Sequence, residues 1–500
     1  MSEARQDNHS PRSARDRLAE EIHALRDAAG LTQAALATRI GYTKQYVSLA
    51  ERPGTGLPSD SLVRALDSAL GAHGRLTALR AEAAVEHARR RQDLSAGRSA
   101  GIGIDTGADV APAVAASQAR WREVRAFLGA QGTVLTTLAA QLYPATARAA
   151  GLPVLAAAHW LPESPVPLDQ VELDWDEEPA LPVITGREAE VASVLPLRAP
   201  GRAFASYSTA IRYLAPPRLF ENRSCYRLLA LHRPDGHRLR LRFGLSTYFA
   251  KFDIAEALVH ELAAHAAATT TPPGIDDLPY RSLLGPAPFD LAERPVNLSV
   301  TTLTIRQDRS AGTAAFYLMR RDGRAVAVGG GHYGLIPAGE FQPASISPQS
   351  LRTDLDLWRT MVREYSEELL GDPEHDGSTG VPVDYQCWPF YRDMTRAREA
   401  GAIRVSVLGL VMDPLSLNAT IATVAVFDSS TFDRLFRQIA DSNVEGRLAV
   451  KDGATARDGI AFTAGNVDRF VHREVMGATC TACLALAWRH RDALLGQGRP

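Results

Sequence analysis

Polar side chains suited to contacting a nucleic acid are concentrated in the stretch LTQAALATRIGYTKQYVSLAE, residues 31–51. Lysine, arginine and amide side chains hydrogen-bond base edges, and hydroxyl and amide side chains also hydrogen-bond phosphates. The candidate contacts are Gln33, Thr43, Lys44, Gln45, Ser48 and Arg52. Lys44 is one of three lysines in the chain. These residue types predict a surface that binds double-stranded DNA.

Two short amphipathic helices must position these side chains. The apolar positions of the first helix recur at helical spacing: Leu36, Ala37 and Ile40. Thr32 is suited to cap that helix, and Gly41 allows the positive φ that a tight turn requires. Thr43 can cap the second helix, in which Val47 supplies an apolar contact with the core. The pattern predicts a helix, a turn and a helix within about twenty residues.

This motif resembles the helix-turn-helix of the XRE/lambda-repressor-like family, whose signature runs T-Q-x-x-L-A, then G, S/T, I/V-S and E. The matching residues are Thr32, Gln33, Leu36, Ala37, Gly41, Thr43, Val47, Ser48 and Glu51. The resemblance implies a five-helix domain whose third helix enters the major groove, with Lys44, Gln45 and Ser48 near base edges. It also implies that Gln33 binds a phosphate. The alternative is an ordinary helical hairpin in another kind of small domain.

A second cluster with chemical potential consists of three carboxylates, Glu364, Glu367 and Glu368, which follow Arg363. On an α-helix, residues spaced i, i+3 and i+4 share one face. Carboxylates on one helix face repel one another unless a divalent cation or basic side chains offset their negative charge. Oxygen ligands of this kind suit Mg²⁺, so the spacing predicts a metal site.

The segment AVAVGGGHYGLIPAGEFQP, followed by LRTDLDLWRTMVREYSEELLG, resembles the Nudix box, G-x5-E-x7-R-E-U-x-E-E-x-G-U with U aliphatic. The resemblance implies a Nudix-like fold with a mixed sheet. In active members of the family such a carboxylate cluster holds Mg²⁺, which bridges a diphosphate and activates water. The later run IRVSVLGLVMDPLSLNATIATVAVFD predicts two more strands of that sheet.

The sequence departs from the Nudix pattern at four places. Gly339 lies 24 residues before Arg363, where the family has 14, so about ten residues are inserted. Leu355 stands at the position of the first glutamate, flanked by Asp354 and Asp356. Tyr365 occupies an aliphatic position, and the closing glycine, Gly371, comes one residue late. Three interpretations stay open: a Nudix-like ligand sensor, which we favour, a working hydrolase, and a solvated helix with an Arg363–Glu367 pair.

Composition narrows the class of protein. The chain has 500 residues, 45% hydrophobic and 22% charged, which predicts a globular protein of two to four domains. There is no run of 18 apolar residues, and the N-terminus is too polar for a secretory signal, so we expect a cytoplasmic protein that makes no membrane contact. Four cysteines do not make a disulfide framework. Residues 1–91 carry a net charge of +3 and the remainder −5, which suits a DNA-binding head on an acidic body.

The fold class that we predict is multidomain: an all-α five-helix head, a helical linker segment and an α+β body with a Nudix-like C-terminal half. Predicted boundaries, in chain order, are a disordered tail at 1–16, the helix-turn-helix domain at 17–92, a flexible linker at 93–117, a helical segment at 118–160, an α+β lobe at 161–290 and a Nudix-like α/β domain at 291–495.

Two further motifs resemble metal-binding patterns but do not predict a metal site. His260 and His265 are five residues apart, so on a helix they point about 140° away from each other and cannot share a metal ion. Cys480 and Cys483 form a lone C-x-x-C in an Ala/Leu-rich helix, and two more zinc ligands at fitting spacing are not evident. We interpret the cysteines as part of a hydrophobic core.

Together these features predict a bacterial, cytoplasmic transcriptional regulator whose body senses a nucleotide-like small molecule. A homodimer on a palindromic site is expected, because a single module binds weakly. The apolar helix around Trp121–Leu142 is the candidate dimer interface, and its alternative role is docking on its own body. DNA binding requires no cofactor, whereas the carboxylate cluster would take Mg²⁺. The competing function is a Mg²⁺-dependent hydrolase of nucleoside diphosphate derivatives that carries a DNA-binding head.

Overall fold

The computed structural model describes most of the chain. The described residues are 14–40, 47–48, 50–51, 58, 60–84, 86, 111–217, 220–321, 332–345, 347–372, 382–437, 439, 446–448 and 459–496. The predicted disordered tail lies almost wholly outside them, as does the predicted linker up to residue 110.

Helices come first in the described chain, and groups of strands and helices follow them. The helices are α1 (Ala14–Ala28), α2 (Gln33–Ile40), α3 (Asp60–Ala69), α4 (Pro112–Gln141), α5 (Tyr207–Leu214), α6 (Tyr248–Ala268), α7 (Pro279–Ser282), α8 (Pro348–Thr353), α9 (Leu357–Tyr365), α10 (Pro389–Glu399), α11 (Ser429–Leu435), α12 (Ala464–His472), α13 (Ala478–Arg489) and α14 (Arg491–Leu494). The strands are β1 (Val166–Pro167), β2 (Val171–Trp175), β3 (Leu197–Ala199), β4 (Arg202–Ala203), β5 (Ser224–His232), β6 (Leu239–Thr247), β7 (Leu298–Asp308), β8 (Thr313–Phe316), β9 (Leu318–Arg321), β10 (Tyr333–Leu335), β11 (Ala338–Glu340), β12 (Ile403–Met412), β13 (Ala419–Asp428), β14 (Gly446–Leu448) and β15 (Ile460–Ala461).

The chain divides into two compact units. The first comprises Met1–Asp109, Pro343–Thr353 and His375–Val383, and the second comprises Val110–Gln342, Asp354–Glu374 and Asp384–Pro500. We call residues 14–86 the head and the second unit the body. The insertion predicted after Gly339 coincides with Pro343–Thr353, which carries α8 and is not part of the body.

The head is an all-α domain with its own hydrophobic core. The core side chains come from α1, α2, α3 and the segments beside them: Leu18, Ile22, Leu36, Ala37, Ile40, Val47, Leu62, Val63, Leu66 and Leu76. Residues 75–84 form a further helical stretch. The apolar stripes read from the sequence are confirmed, because the residues at helical spacing are those that the core buries.

Local signals fix where the head helices begin and end. The Thr32 hydroxyl accepts a hydrogen bond from the Ala35 backbone N–H at 3.1 Å, which confirms the predicted cap of α2. Gly30 has φ +65°, a left-handed conformation that ends α1. The buried Asp67 carboxylate accepts from the backbone N–H of Gly74 and Leu76 at 2.7 and 2.8 Å. It thereby anchors the next helical stretch, a contact that the sequence did not indicate.

A mixed sheet organises the body. Its strand order is β1-β12-β13-β7-β8-β15, with β11 also paired to β7. β13 runs parallel to β7 over ten residue pairs, whereas the other pairings are antiparallel. Almost every residue of β7 and β13 is buried, as expected for strands covered on both faces. The two strands predicted from the IRVSVLG run are confirmed as β12 and β13.

A smaller sheet precedes the large one in sequence, with the order β2-β6-β5 and β2 parallel to β6. β5 and β6 pair antiparallel, with a change of register between Leu228 and Ala230. Residues 313–316 form β8 in the large sheet, and residues 318–321 form β9, which pairs with β10 and β14. β1 pairs with β12, so the predicted lobes 161–290 and 291–495 share the large sheet and one compact unit.

Helix α4 corrects two expectations. It begins at Pro112, so residues 112–117 are helical rather than part of the flexible linker. Its apolar side chains do not form a free interface, because Val124, Leu128, Leu135 and Ala139 are buried in a cluster with side chains of α6. The helix around Trp121–Leu142 is therefore docked on its own body. The chain then continues to residue 160 through short 3-10 turns.

Within the described ranges, no helix combines the length and the apolar character that crossing a bilayer requires.

Candidate functional site

Four of the six predicted DNA contacts lie outside the described residues: Thr43, Lys44, Gln45 and Arg52. Ser48 is helical and half-buried, between the buried Val47 and Ala50. Gln33 is the first residue of α2. The structure therefore places two of the predicted contacts, each on a helical segment of the head.

A buried polar cluster holds these two segments together. The Glu51 carboxylate, whose side chain is 3% exposed, accepts hydrogen bonds from Arg26 Nε at 2.5 Å and Arg26 Nη2 at 3.0 Å. Gln33 Nε2 donates to the same carboxylate at 2.9 Å, and His23 Nδ1 lies 3.1 Å from it. One carboxylate thus joins α1, the start of α2 and the end of the motif. We call Arg26, Gln33 and Glu51 the head triad.

Electrostatics favour the charged form of Glu51. Burial by itself raises the pKa of Glu51, but the hydrogen bonds from Arg26, Gln33 and His23 outweigh that effect, so its pKa is lowered from the ordinary value. Arg26 also donates to the Leu31 carbonyl at 2.7 Å, across the turn between α1 and α2. The triad therefore fixes the spacing of the two helices, because each buried charge has a partner.

Gln33 has a different partner from the one that its residue type suggested. Its side-chain nitrogen donates to Glu51, so its orientation is set inside the protein. Arg26 was not identified from the sequence at all. The signal for it was a cation in the last turn of α1, next to the apolar stripe, together with Glu51 at the end of the motif.

Comparison with known families identifies the head. A family model described as "Helix-turn-helix domain" matches residues 17–83. Residues 17–83 form a helix-turn-helix domain. No curated protein matches the chain. The matched residues lie within the range 17–92 that the sequence analysis expects for this domain.

The three glutamates predicted as metal ligands lie on α9 and on its continuation. α9 becomes a π-helix at Ser366–Leu370. The wider π-helical turn changes the angular spacing of Glu367 and Glu368 relative to Glu364. Within the described part of the chain, no three His, Cys, Asp or Glu side chains are grouped so that they could hold a metal ion. The metal role of these glutamates stays a prediction, and this geometry does not support it.

Two of the glutamates instead contact the strand that precedes the helix. The Glu368 carboxylate is buried and accepts from the Ala338 backbone N–H at 3.1 Å. Glu364 approaches Gly339 so closely that a Cβ on Gly339 would overlap its carboxylate. Gly339 therefore has a structural reason to be glycine, since β11 and the α9 carboxylates share one small space.

Arg363 is the centre of a second buried cluster. Its Nη1 donates to the Tyr385 hydroxyl at 2.6 Å, and that hydroxyl donates to Asp354 Oδ1 at 2.8 Å. Its Nη2 donates to the Gln342 carbonyl at 2.9 Å. The interpretation of a solvated helix with an Arg363–Glu367 pair is wrong, because Arg363 is 4% exposed and has these partners. Asp354, one residue before Leu355, supplies the carboxylate.

The two discounted motifs take structural roles. His260 is buried on α6, and its Nδ1 lies 3.0 Å from the Tyr207 hydroxyl. Burial lowers the pKa of His260 to about 3, so it is neutral at physiological pH. Cys483 is buried on α13 with its thiol 3.4 Å from the Thr423 carbonyl. Both observations agree with core residues.

Proposed function

We propose that this protein is a sequence-specific DNA-binding transcriptional regulator. The observation that carries the proposal is the helix-turn-helix domain at residues 17–83. Its separate core and its buried head triad make it a preformed module, as DNA-reading domains are. The net charge of +3 over residues 1–91 is of the sign that phosphate contacts require.

In this proposal the segment that contains Thr43, Lys44, Gln45 and Ser48 enters the major groove. Lys44 and Gln45 contact base edges and carry sequence discrimination. Gln33 lies at the start of α2, where a side chain reaches the phosphate backbone, and Arg52 adds a second phosphate contact. The hydrogen bond from Gln33 Nε2 to Glu51 uses one N–H of that amide and leaves the second N–H of Gln33 to donate to a phosphate.

A homodimer completes the proposal, because one module covers a short site and gains specificity by binding a palindrome as a pair. The buried apolar face of α4 does not serve as its interface. The oligomeric state is measured by sedimentation of the full chain, with and without DNA. A monomer at micromolar concentration in both conditions would remove this part of the proposal.

We further propose that the body is a Nudix-like domain that senses a nucleotide-like ligand. Three features support it. Strand β11 is followed by a segment that contains α8 and then by α9. The large sheet is mixed, with β7 parallel to β13, and Arg363 and Glu364 of α9 lie close to β11 and the residues after it. Thermal melting of the full chain with nucleotides, with and without Mg²⁺, tests for binding. The hydrolase alternative needs the three glutamates around one cation and has less support.

Side-chain variants test the DNA contacts individually. Lys44→Ala and Gln45→Ala should each lose about 1–3 kcal/mol of discrimination between the best site and a single-base variant of it. Gln33→Ala should weaken binding to both DNAs alike, because a phosphate contact carries no sequence information. Gln131→Ala, an exposed glutamine of the body, is the matched control. Unchanged discrimination in both Lys44→Ala and Gln45→Ala would contradict the assignment of these base contacts.

A further inference from the structure

A polar cavity of about 380 Å³ lies in the body, away from α9 and its glutamates. The starts of α5 and α6 and the loop at residues 185–187 form its walls. Its volume lies at the lower end of the range of about 300–1,000 Å³ that small-molecule sites occupy. It therefore suits a ligand of sugar size rather than a dinucleotide.

Two arginines, Arg187 and Arg212, line this cavity. Arg212 is placed over the rings of Phe249 and Phe220, with its Cζ 5.3 and 5.9 Å from the ring centres. Within the described part of the chain, neither Arg187 nor Arg212 forms an ion pair or a side-chain hydrogen bond. Stacking on aromatic faces holds a guanidinium in place while its N–H donors stay directed outward.

The loop that carries Arg187 is built to a fixed shape. The Glu188 carboxylate accepts hydrogen bonds from the backbone N–H of Thr185, Gly186 and Arg187 at 2.6–3.1 Å. Gly186 has φ +81°, and a Cβ there would lie 3.0 Å from the Cβ of Asp253. Because only glycine fits this close approach, the loop lies directly on Asp253 and holds Arg187 at the rim.

Asp253 is the acidic side chain in the cavity lining, and it is already engaged. It is buried, and its Oδ1 accepts from the Ser208 backbone N–H at 2.6 Å at the start of α5. The cavity lining carries two guanidinium groups and this one carboxylate, so its net charge favours an anion. Hydroxyl and amide groups supply further donors and acceptors, among them Thr247, whose side chain does not cap α6, and Asn222.

We propose that this cavity binds a small phosphorylated polyhydroxyl compound, a sugar phosphate in chemical class. Arg187 and Arg212 hold the phosphate, because planar guanidinium groups match phosphate oxygens in charge and geometry. Thr247 and Asn222 hydrogen-bond the hydroxyl groups. The site is independent of DNA binding and of the Nudix-like interpretation of α9, and it gives the body a second class of ligand.

The test is binding of three probes to the full chain: ribose 5-phosphate, inorganic phosphate and ribose. Titration calorimetry at constant ionic strength should show ribose 5-phosphate binding most tightly, inorganic phosphate at least tenfold more weakly, and ribose without measurable affinity. Arg187→Ala and Arg212→Ala should each weaken ribose 5-phosphate at least tenfold. Arg198→Ala, an exposed arginine outside the cavity lining, should leave the affinity unchanged.

Asp253→Asn should change the phosphate affinity in the opposite direction from the two arginine variants. An asparagine side-chain oxygen can still accept from the Ser208 N–H, but it no longer repels an anion, so phosphate affinity should rise severalfold. Circular dichroism and thermal melting establish that each variant is folded. The proposal is overturned if neither phosphate-bearing probe binds folded wild-type protein up to 20 mM, or if the two arginine variants bind like Arg198→Ala. A failure here leaves the DNA-binding assays unaffected, so the two results are separable.

Discussion

At the scale of single residues, Glu51 holds the polar side chains of the head together. Glu51→Gln removes the charge that offsets Arg26, so the head should lose about 2–3 kcal/mol of stability, the value of hydrogen bonds to a charged group. Glu82→Gln is the matched control, since Glu82 and Arg17 form an exposed pair worth about 0–1 kcal/mol. Hydrogen exchange of the α2 amides in the full chain measures both. Equal effects of the two substitutions would contradict the role of the triad.

The same residue predicts a pH dependence. Because the pKa of Glu51 is lowered in the folded head, its contribution to stability is complete above the ordinary pKa of 4.5. It is lost as the pH falls below 4.5 through the folded pKa. Exchange protection of α2 should therefore fall with acidification in wild type more steeply than in Glu51→Gln. Parallel pH profiles would show that Glu51 does not provide this contribution.

At the scale of elements, glycines show where close packing decides the fold. Gly409 interrupts the register of β12 at a bulge, with φ +145°, and a Cβ there would lie 2.9 Å from the Trp160 carbonyl oxygen. Gly409→Ala should destabilise the body by about 1–3 kcal/mol, because neither the backbone conformation nor the carbonyl accommodates a Cβ.

Gly129→Ala provides the matched control for that substitution. Gly129 lies in α4, and apart from its chain neighbours and the nearby backbone of that helix, no described atom lies within 4 Å of the place that an alanine methyl would take. Alanine should therefore stabilise the helix by up to about 1 kcal/mol. Thermal melting of the full chain gives both shifts. Melting shifts of the same sign would contradict this account of the two sites.

Periodicity predicted the elements well where one face meets a core. The apolar stripe of α2 was visible because its buried residues recur at helical spacing, and β12 and β13 were visible as long apolar runs because most of their residues are buried. The docking of α4 was not visible, because an apolar face does not tell which surface covers it. Only part of the head triad could be predicted from the sequence. Glu51 belongs to the motif, whereas Arg26 contacts Glu51 only in the folded head.

The spacing of the three glutamates differs from the one expected from the sequence. Its prediction assumed α-helical spacing throughout, whereas the helix becomes π-helical at Ser366. Such a change depends on tertiary packing around Glu368 and Tyr365 and leaves no periodic signal.

At the scale of the whole molecule, the body is expected to sense rather than to hydrolyse. We predict little or no Mg²⁺-dependent release of phosphate or nucleoside monophosphate from dinucleotides or nucleotide sugars, because Glu364 and Glu368 are directed to β11. Hydrolysis of a nucleoside-diphosphate panel by wild type and Glu367→Gln measures this. Turnover of about 1 s⁻¹ or more, lost in the variant, would favour the hydrolase instead.

Sequence-specific DNA binding by the helix-turn-helix domain is the function that we propose for the whole chain. The most direct measurement is affinity selection of fragments from the source genome by the full-length protein, followed by titration of the enriched fragment at several salt concentrations. We predict enrichment of a palindromic site and binding at least about 10³-fold tighter than to unrelated DNA. The logarithm of the binding constant should fall linearly with the logarithm of the salt concentration. Equal, or absent, binding to selected and unrelated DNA by folded protein would contradict the claim.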